Sequence, residues 1–163
     1  MADLLESLQT ALEMERRGRS FYLDAADRAQ DKIVKSVLVD LANDEEAHEQ
    51  AISRFYQALE KHQAWPSSEG ETSPAHVPGR VQTIIETTAG SIGSDATFLG
   101  VYEAACDLEV KSRDFYREQA DEADDRRLEE FFRFLARVED AHLQALEMVV
   151  NAVRRAGGTQ PKS

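Results

Sequence analysis

One cysteine in 163 residues, Cys106, excludes an internal disulfide, a four-cysteine iron centre and a CxxC redox pair. Positive charge is scarce too. The 19 Lys and Arg stand against 31 Asp and Glu, for a net charge of −12. Such an acidic surface repels phosphate backbones and anionic lipid, which argues against nucleic acid and membrane surfaces as partners. No apolar run approaches the roughly 18 residues of a membrane span. The opening MADLLESLQT lacks the basic-then-apolar order of a signal peptide, so a cytoplasmic location is the default expectation. Helix breakers are few: four prolines and eight glycines, more than half of them in one stretch. With 42% hydrophobic and 31% charged residues, the profile is that of one mainly helical domain, residues 1–163, with a real core.

What is present is helical periodicity. Leu5, Leu8, Leu12, Glu15, Arg19, Tyr22, Ala26 and Ala29 recur at 3-4-3-4 spacing and predict a helix over 3–29. Gly18 is its one weak residue and marks a close helix contact. Asp31 is placed to cap a second helix over about 32–62, with the seam Val34, Leu38, Leu41, Glu45, His48, Ile52, Phe55 and Leu59. The short turn between them makes an antiparallel hairpin, 3–62. Residues 63–94 change character, with three of the four prolines and four of the eight glycines between His62 and Ser94. That segment reads as a crossover along the bundle, with a short helical turn at 81–88, so that the next helix starts at the opposite end. Ser94 is expected to cap a third helix over about 95–122, and a fourth follows over about 125–155. Together they make a second hairpin, 95–155. Gly157 and Gly158 are expected to end the fourth helix, leaving a loose tail, 156–163.

The two hairpins are one pattern repeated. Glu15, Tyr22, Glu45 and His48 return as Glu109, Tyr116, Glu139 and His142, each ninety-four residues later. Glu15 and Glu45 lie equally far from the first turn, and Glu109 and Glu139 equally far from the second. In an antiparallel hairpin each pair is therefore level. Glu45 and His48 are i, i+3 on one helical face, as are Glu139 and His142. Packed about a pseudo-twofold axis, four carboxylates and two imidazoles converge at mid-bundle. They also occupy seam positions, where apolar residues belong. A lone ExxH usually faces water. Two copies on buried seams need cations, because an unpaired buried carboxylate is very costly. Two divalent ions cancel four carboxylates. Oxygen-rich donors with one imidazole per ion fit iron or manganese better than copper, and zinc would also fit.

These residues carry a resemblance that covers almost the whole chain: Glu15-x-x-x-Arg19-x-x-Tyr22, Glu45-x-x-His48, Glu109-x-x-x-Arg113-x-x-Tyr116 and Glu139-x-x-His142. The sequence resembles the rubrerythrin-like di-iron proteins of the ferritin-like superfamily. The resemblance implies an all-α, ferritin-like four-helix bundle of two antiparallel hairpins joined by a long crossover. It implies two iron ions, with Glu45 and Glu139 bridging, Glu15 and Glu109 terminal, and His48 and His142 one to each iron. It implies peroxide or O2 as oxidant, or ferroxidase chemistry for iron handling or storage, and suggests a homodimer. A non-catalytic metal-binding bundle is the reading from another class. There are two departures. No four-cysteine rubredoxin domain is present in these residues, so electrons must come from an external donor or from ferrous iron itself. Ser112 stands where prototypes carry a seventh carboxylate, which puts the associated iron movement and peroxidase activity in question.

Supporting residues are placed by the same repeat. Tyr22 and Tyr116 lie two turns from their glutamates, each placed to bond an opposing ligand carboxylate. Arg19 and Arg113 are either surface ion pairs at i+4 or charge partners at the edge of the centre. Asp44 is placed to support a ligand histidine, as in related di-iron bundles. Its repeat equivalent is Val138, so the support is one-sided. Cys106, equivalent to Leu12, reads as a small core residue. His62 and His76 are expected in solvent, and Trp65 against the bundle end.

Overall fold

A computed structural model describes residues 2–62, 64, 66, 81–82 and 98–158. Among these residues the chain forms four helices and no strand: α1 (Ala2–Arg28), α2 (Lys32–Glu60), α3 (Leu99–Glu122) and α4 (Arg126–Gly158). α1 packs along α2 and α3 along α4, so the fold is the expected pair of helical hairpins in an all-α bundle.

Each hairpin turn is set by an aspartate. The Asp31 carboxylate accepts from the backbone N–H of Ile33 at 2.7 Å and of Val34 at 3.2 Å, satisfying two otherwise orphaned donors of α2. Asp125, its equivalent in the repeat, does the same for Arg127 at 2.8 Å and Leu128 at 3.2 Å. α2 stops by tightening. Lys61 N–H reaches Gln57 O at 3.0 Å, His62 N–H reaches Leu59 O at 3.2 Å, and His62 turns left-handed with φ of 51°.

Three boundaries differ from the periodicity. α2 closes at Glu60, because that last turn tightens before residue 62. α3 takes Phe98 as its N-cap residue, with no side-chain capping bond; Ser94 and residues 95–97 lie outside the described residues. α4 continues through Gly157 and Gly158, so residues 156–158 are helix and not loose tail. Glycine lowers helix propensity by about 1 kcal/mol but, unlike proline, keeps its N–H for the helical bond. Of the short turn expected at 81–88, Val81 and Gln82 are helical, and Val81 is buried; the rest, with Trp65 and His76, lies outside the described residues.

Two apolar clusters fill the bundle. One gathers Ala26, Val34, Leu38 and Leu41, near the first turn, with Phe98, Tyr102, Leu146 and Val153, from the open end of the second hairpin. The other gathers Leu8, Ile52 and Phe55 with Tyr116, Leu128, Phe131 and Leu135, near the second turn. The hairpins therefore turn at opposite ends of the bundle, as a lengthwise crossover requires. Phe55 stacks on Phe131 with centroids 3.8 Å apart. α1 and α3 bury Ala11 and Ala105 fully, one position before the Leu12 and Cys106 of the expected seam, which are only half-buried. Alanines there let the helices approach closely beside the polar layer.

Candidate metal centre

Between the apolar clusters lies a polar layer. Glu15, Glu45, His48, Glu109, Glu139 and His142 are each at most 4% exposed, and they are the buried charged or polar residues of the described core. The structure brings all six together. Their donor atoms fall into two sets, Glu15, Glu45, His48 and Glu139, and Glu45, Glu109, Glu139 and His142; within each set these atoms lie within 4.8 Å of one another. Glu45 and Glu139 belong to both. Each set adds one carboxylate and one imidazole of its own.

Both imidazoles turn Nδ1 into the layer. His48 Nδ1 lies 3.1 Å from Glu15 Oε2, 3.4 Å from Glu139 Oε1 and 3.6 Å from Glu45 Oε2. His142 Nδ1 lies 3.4 Å from Glu45 Oε1 and Glu139 Oε2, and 3.7 Å from Glu109 Oε2. The rings face each other at 5.5 Å, 21° from parallel. Glu139 Oε1 and Oε2 and His142 Nδ1 are fully buried without a directed hydrogen bond. Metal–donor bonds of about 2.0–2.2 Å set donors up to about 4.4 Å apart, close to the span of each set. Orphaned donors, carboxylate-rich ligation and shared glutamates are what two divalent cations need. The residues fit such a group.

Protons can also neutralise the layer. Burial, then the charges of Glu45 and Glu139, push the Glu15 carboxyl well above its usual range. Burial and the Glu139 charge do the same to Glu109. Burial pushes Glu45 up too, but Glu15 and the nearby His142 and His48 imidazoles outweigh it and hold the carboxyl below the usual range. For Glu139, burial and the Glu45 charge are outweighed by the two imidazoles, and its pKa is held at about 2. Burial favours neutral imidazole, yet Glu15 and its neighbours hold His48 protonated well above the ordinary histidine range. Asp44 leads the same effect on His142. Without cations these shifts favour ionised Glu45 and Glu139 beside protonated imidazoles and neutral Glu15 and Glu109.

The tyrosines cross between hairpins. Tyr22 donates to Glu109 Oε1 and Tyr116 donates to Glu15 Oε1, both fully buried. Each hairpin thus holds the other's non-shared carboxylate. The arginines do not reach those glutamates. Arg19 pairs with Glu46 at 3.0 Å, and Arg113 pairs with Asp114 at 2.8 Å and Asp140 at 3.5 Å. Glu46 and Asp140 are repeat equivalents, each following a shared glutamate, so these arginines tie α1 to α2 and α3 to α4 beside the layer. Asp44 Oδ2 sits 3.3 Å from His142 Nε2, on the opposite hairpin. Cys106 is half-buried, and burial with the nearby acids pushes its thiol up to about 11.

Some of the surroundings escaped the seam reading. A cleft of about 280 Å³ between α1 and α3 reaches down to Glu45 and Glu109. Its walls are three repeat pairs: Met14 with Leu108, Arg17 with Lys111, and Gly18 with Ser112. A Cβ on Gly18 would lie 3.5 Å from the Glu45 carboxyl carbon, so the glycine leaves the cleft floor open. Adding ninety-four to the residues flanking Glu15 would have found these pairs.

Fold and layer together define a ferritin-like helical bundle with a buried carboxylate and imidazole cluster suited to metal ions. The chain belongs to the rubrerythrin family: the family model described as Rubrerythrin matches residues 6–89, just over half of the chain. The match covers α1, α2 and the segment after them; α3 and α4 join through the repeat. Comparison with curated proteins and with solved structures gives no match. No described helix is long and apolar enough to cross a membrane.

Proposed function

We propose that this chain is a non-haem di-iron oxidoreductase that reduces peroxide or O2 with electrons from an external donor. The observation that carries the reading is the pair of buried donor sets sharing Glu45 and Glu139. Glu15 and His48 would hold one iron, Glu109 and His142 the other, with Glu45 and Glu139 available to both. When bound, the iron pair supplies two electrons to the oxidant. The chain's own part is positioning. Tyr22 and Tyr116 fix the non-shared carboxylates across the hairpins, and the two apolar clusters exclude water from above and below. The cleft between Gly18 and Ser112 offers a small oxidant a way to the centre. A binding bundle without chemistry has less support, since Leu23 is the one exposed large apolar side chain among the described residues.

The test is reconstitution with excess ferrous ion without oxygen. The expected result is two irons per chain and a diferrous form oxidised by peroxide or O2. Substoichiometric iron overturns the reading. Ferroxidase action is the second reading, favoured by the net charge of −12, which attracts ferrous ion. Continued turnover of added ferrous ion, with no other donor present, would select it.

A further inference from the structure

The repeat that makes the two donor sets alike breaks at the residue before each shared glutamate. Asp44 immediately precedes Glu45 and reaches across to His142 Nε2 at 3.3 Å. Its equivalent before Glu139 is Val138, which is buried and offers only methyl groups. His48 shows the consequence. Its Nε2 is fully buried and has no hydrogen-bond partner among the described residues. Two imidazoles that present the same Nδ1 to the same shared glutamates thus differ on their outer faces.

We propose that the two cation positions are inequivalent, with Asp44 making the Glu109–His142 position the tighter one and leaving the Glu15–His48 position exchangeable. This rests on the two-cation reading of the layer. A ring that binds through Nδ1 must carry its proton on Nε2. At His142 that N–H meets a carboxylate, which fixes the tautomer, holds the ring plane and makes Nδ1 a better donor. At His48 the same N–H is a buried donor with no partner among the described residues, which works against the tautomer the position requires. Removing an outer partner of a metal-bound histidine typically lowers affinity about 10- to 100-fold, and the two positions differ by that factor. The chain therefore loads in order, Glu109–His142 first, and a single equivalent of metal occupies one position. Asp44 is a positioning residue in this account. It touches no cation itself.

Stepwise titration of the metal-free protein with Co²⁺, followed by visible absorption and calorimetry, tests this. The wild type is expected to bind one ion, then a second about 10- to 100-fold more weakly. Repulsion between two ions also splits the steps, but that split is blind to Asp44 and Val138. Asp44→Val is expected to weaken the first step and close the gap. Val138→Asp is expected to tighten the second step and close it from the other side. Val138→Asn supplies an uncharged acceptor if a buried carboxylate at 138 prevents folding. Equal steps in the wild type, or a gap unchanged in the variants, overturn the inference while two bound ions leave the two-cation reading standing. A folded chain that binds no Co²⁺, Fe²⁺ or Zn²⁺ overturns both.

Discussion

Loading the centre with two divalent ions should expel four protons. Without cations, Glu15 and Glu109 hold one proton each, because burial and the neighbouring carboxylates raise both. His48 and His142 hold one extra each, because the surrounding carboxylates outweigh burial. Glu45 and Glu139 are already ionised and release none. Six deprotonated donors therefore require four departures. The product of the two binding constants should rise by about 10⁴ per pH unit, about 5 kcal/mol, wherever all four protons are held, and flatten above the raised pKa values. Calorimetric titration with Co²⁺ at one pH, in buffers of differing ionisation enthalpy, counts the protons directly. Linkage supplies a second readout. All four groups bind protons more strongly folded than unfolded, so stability of the metal-free chain should fall as pH rises. The carboxyl part begins above the ordinary value of 4.5 and the imidazole part above 6.5. The loaded protein should lack that decline. A release of two protons or fewer, or uptake independent of pH, would refute the charge balance described for the layer.

Three other outcomes are expected. Tyr116→Phe strands a buried oxygen of Glu15 and should cost the metal-free protein about 1–3 kcal/mol in denaturant melts; Tyr22→Phe should match it, since it strands Glu109 in the same way. Gly18→Leu drives a side chain against the Glu45 carboxyl, 3.5 Å from the Cβ position, and should weaken metal binding and slow oxidant access. Cys106, with its thiol pushed up to about 11, should alkylate slowly at pH 8 and faster as pH climbs towards that value; rapid labelling at neutral pH would contradict the described setting.

Sequence periodicity determined the hairpins, because a buried helical face must repeat every three to four residues whatever it packs against. The ninety-four-residue repeat determined which glutamates stand level, because equal distances from a turn give equal heights in an antiparallel pair. It did not separate Ala11 from Leu12, or Ala105 from Cys106, as the deepest positions. Neighbouring positions on a helix differ by only part of a turn, and the partner helix decides which points inward. Nor did it choose between two partners for Arg19 and Arg113. The i+4 glutamates were in reach, but they are buried in the layer, and the arginines stay with Glu46 and Asp140 at its edge. The end of α2 likewise depends on local closing bonds that a hydrophobic stripe does not encode. The asymmetry of the centre was visible in sequence as Asp44 against Val138. Only the tertiary structure decided that Asp44 serves His142 on the other hairpin, and that Nε2 of His48 is left without a partner among the described residues. Spacing along a helix assigns a residue to a face; which atom of the opposing hairpin meets it is fixed only when the two hairpins pack.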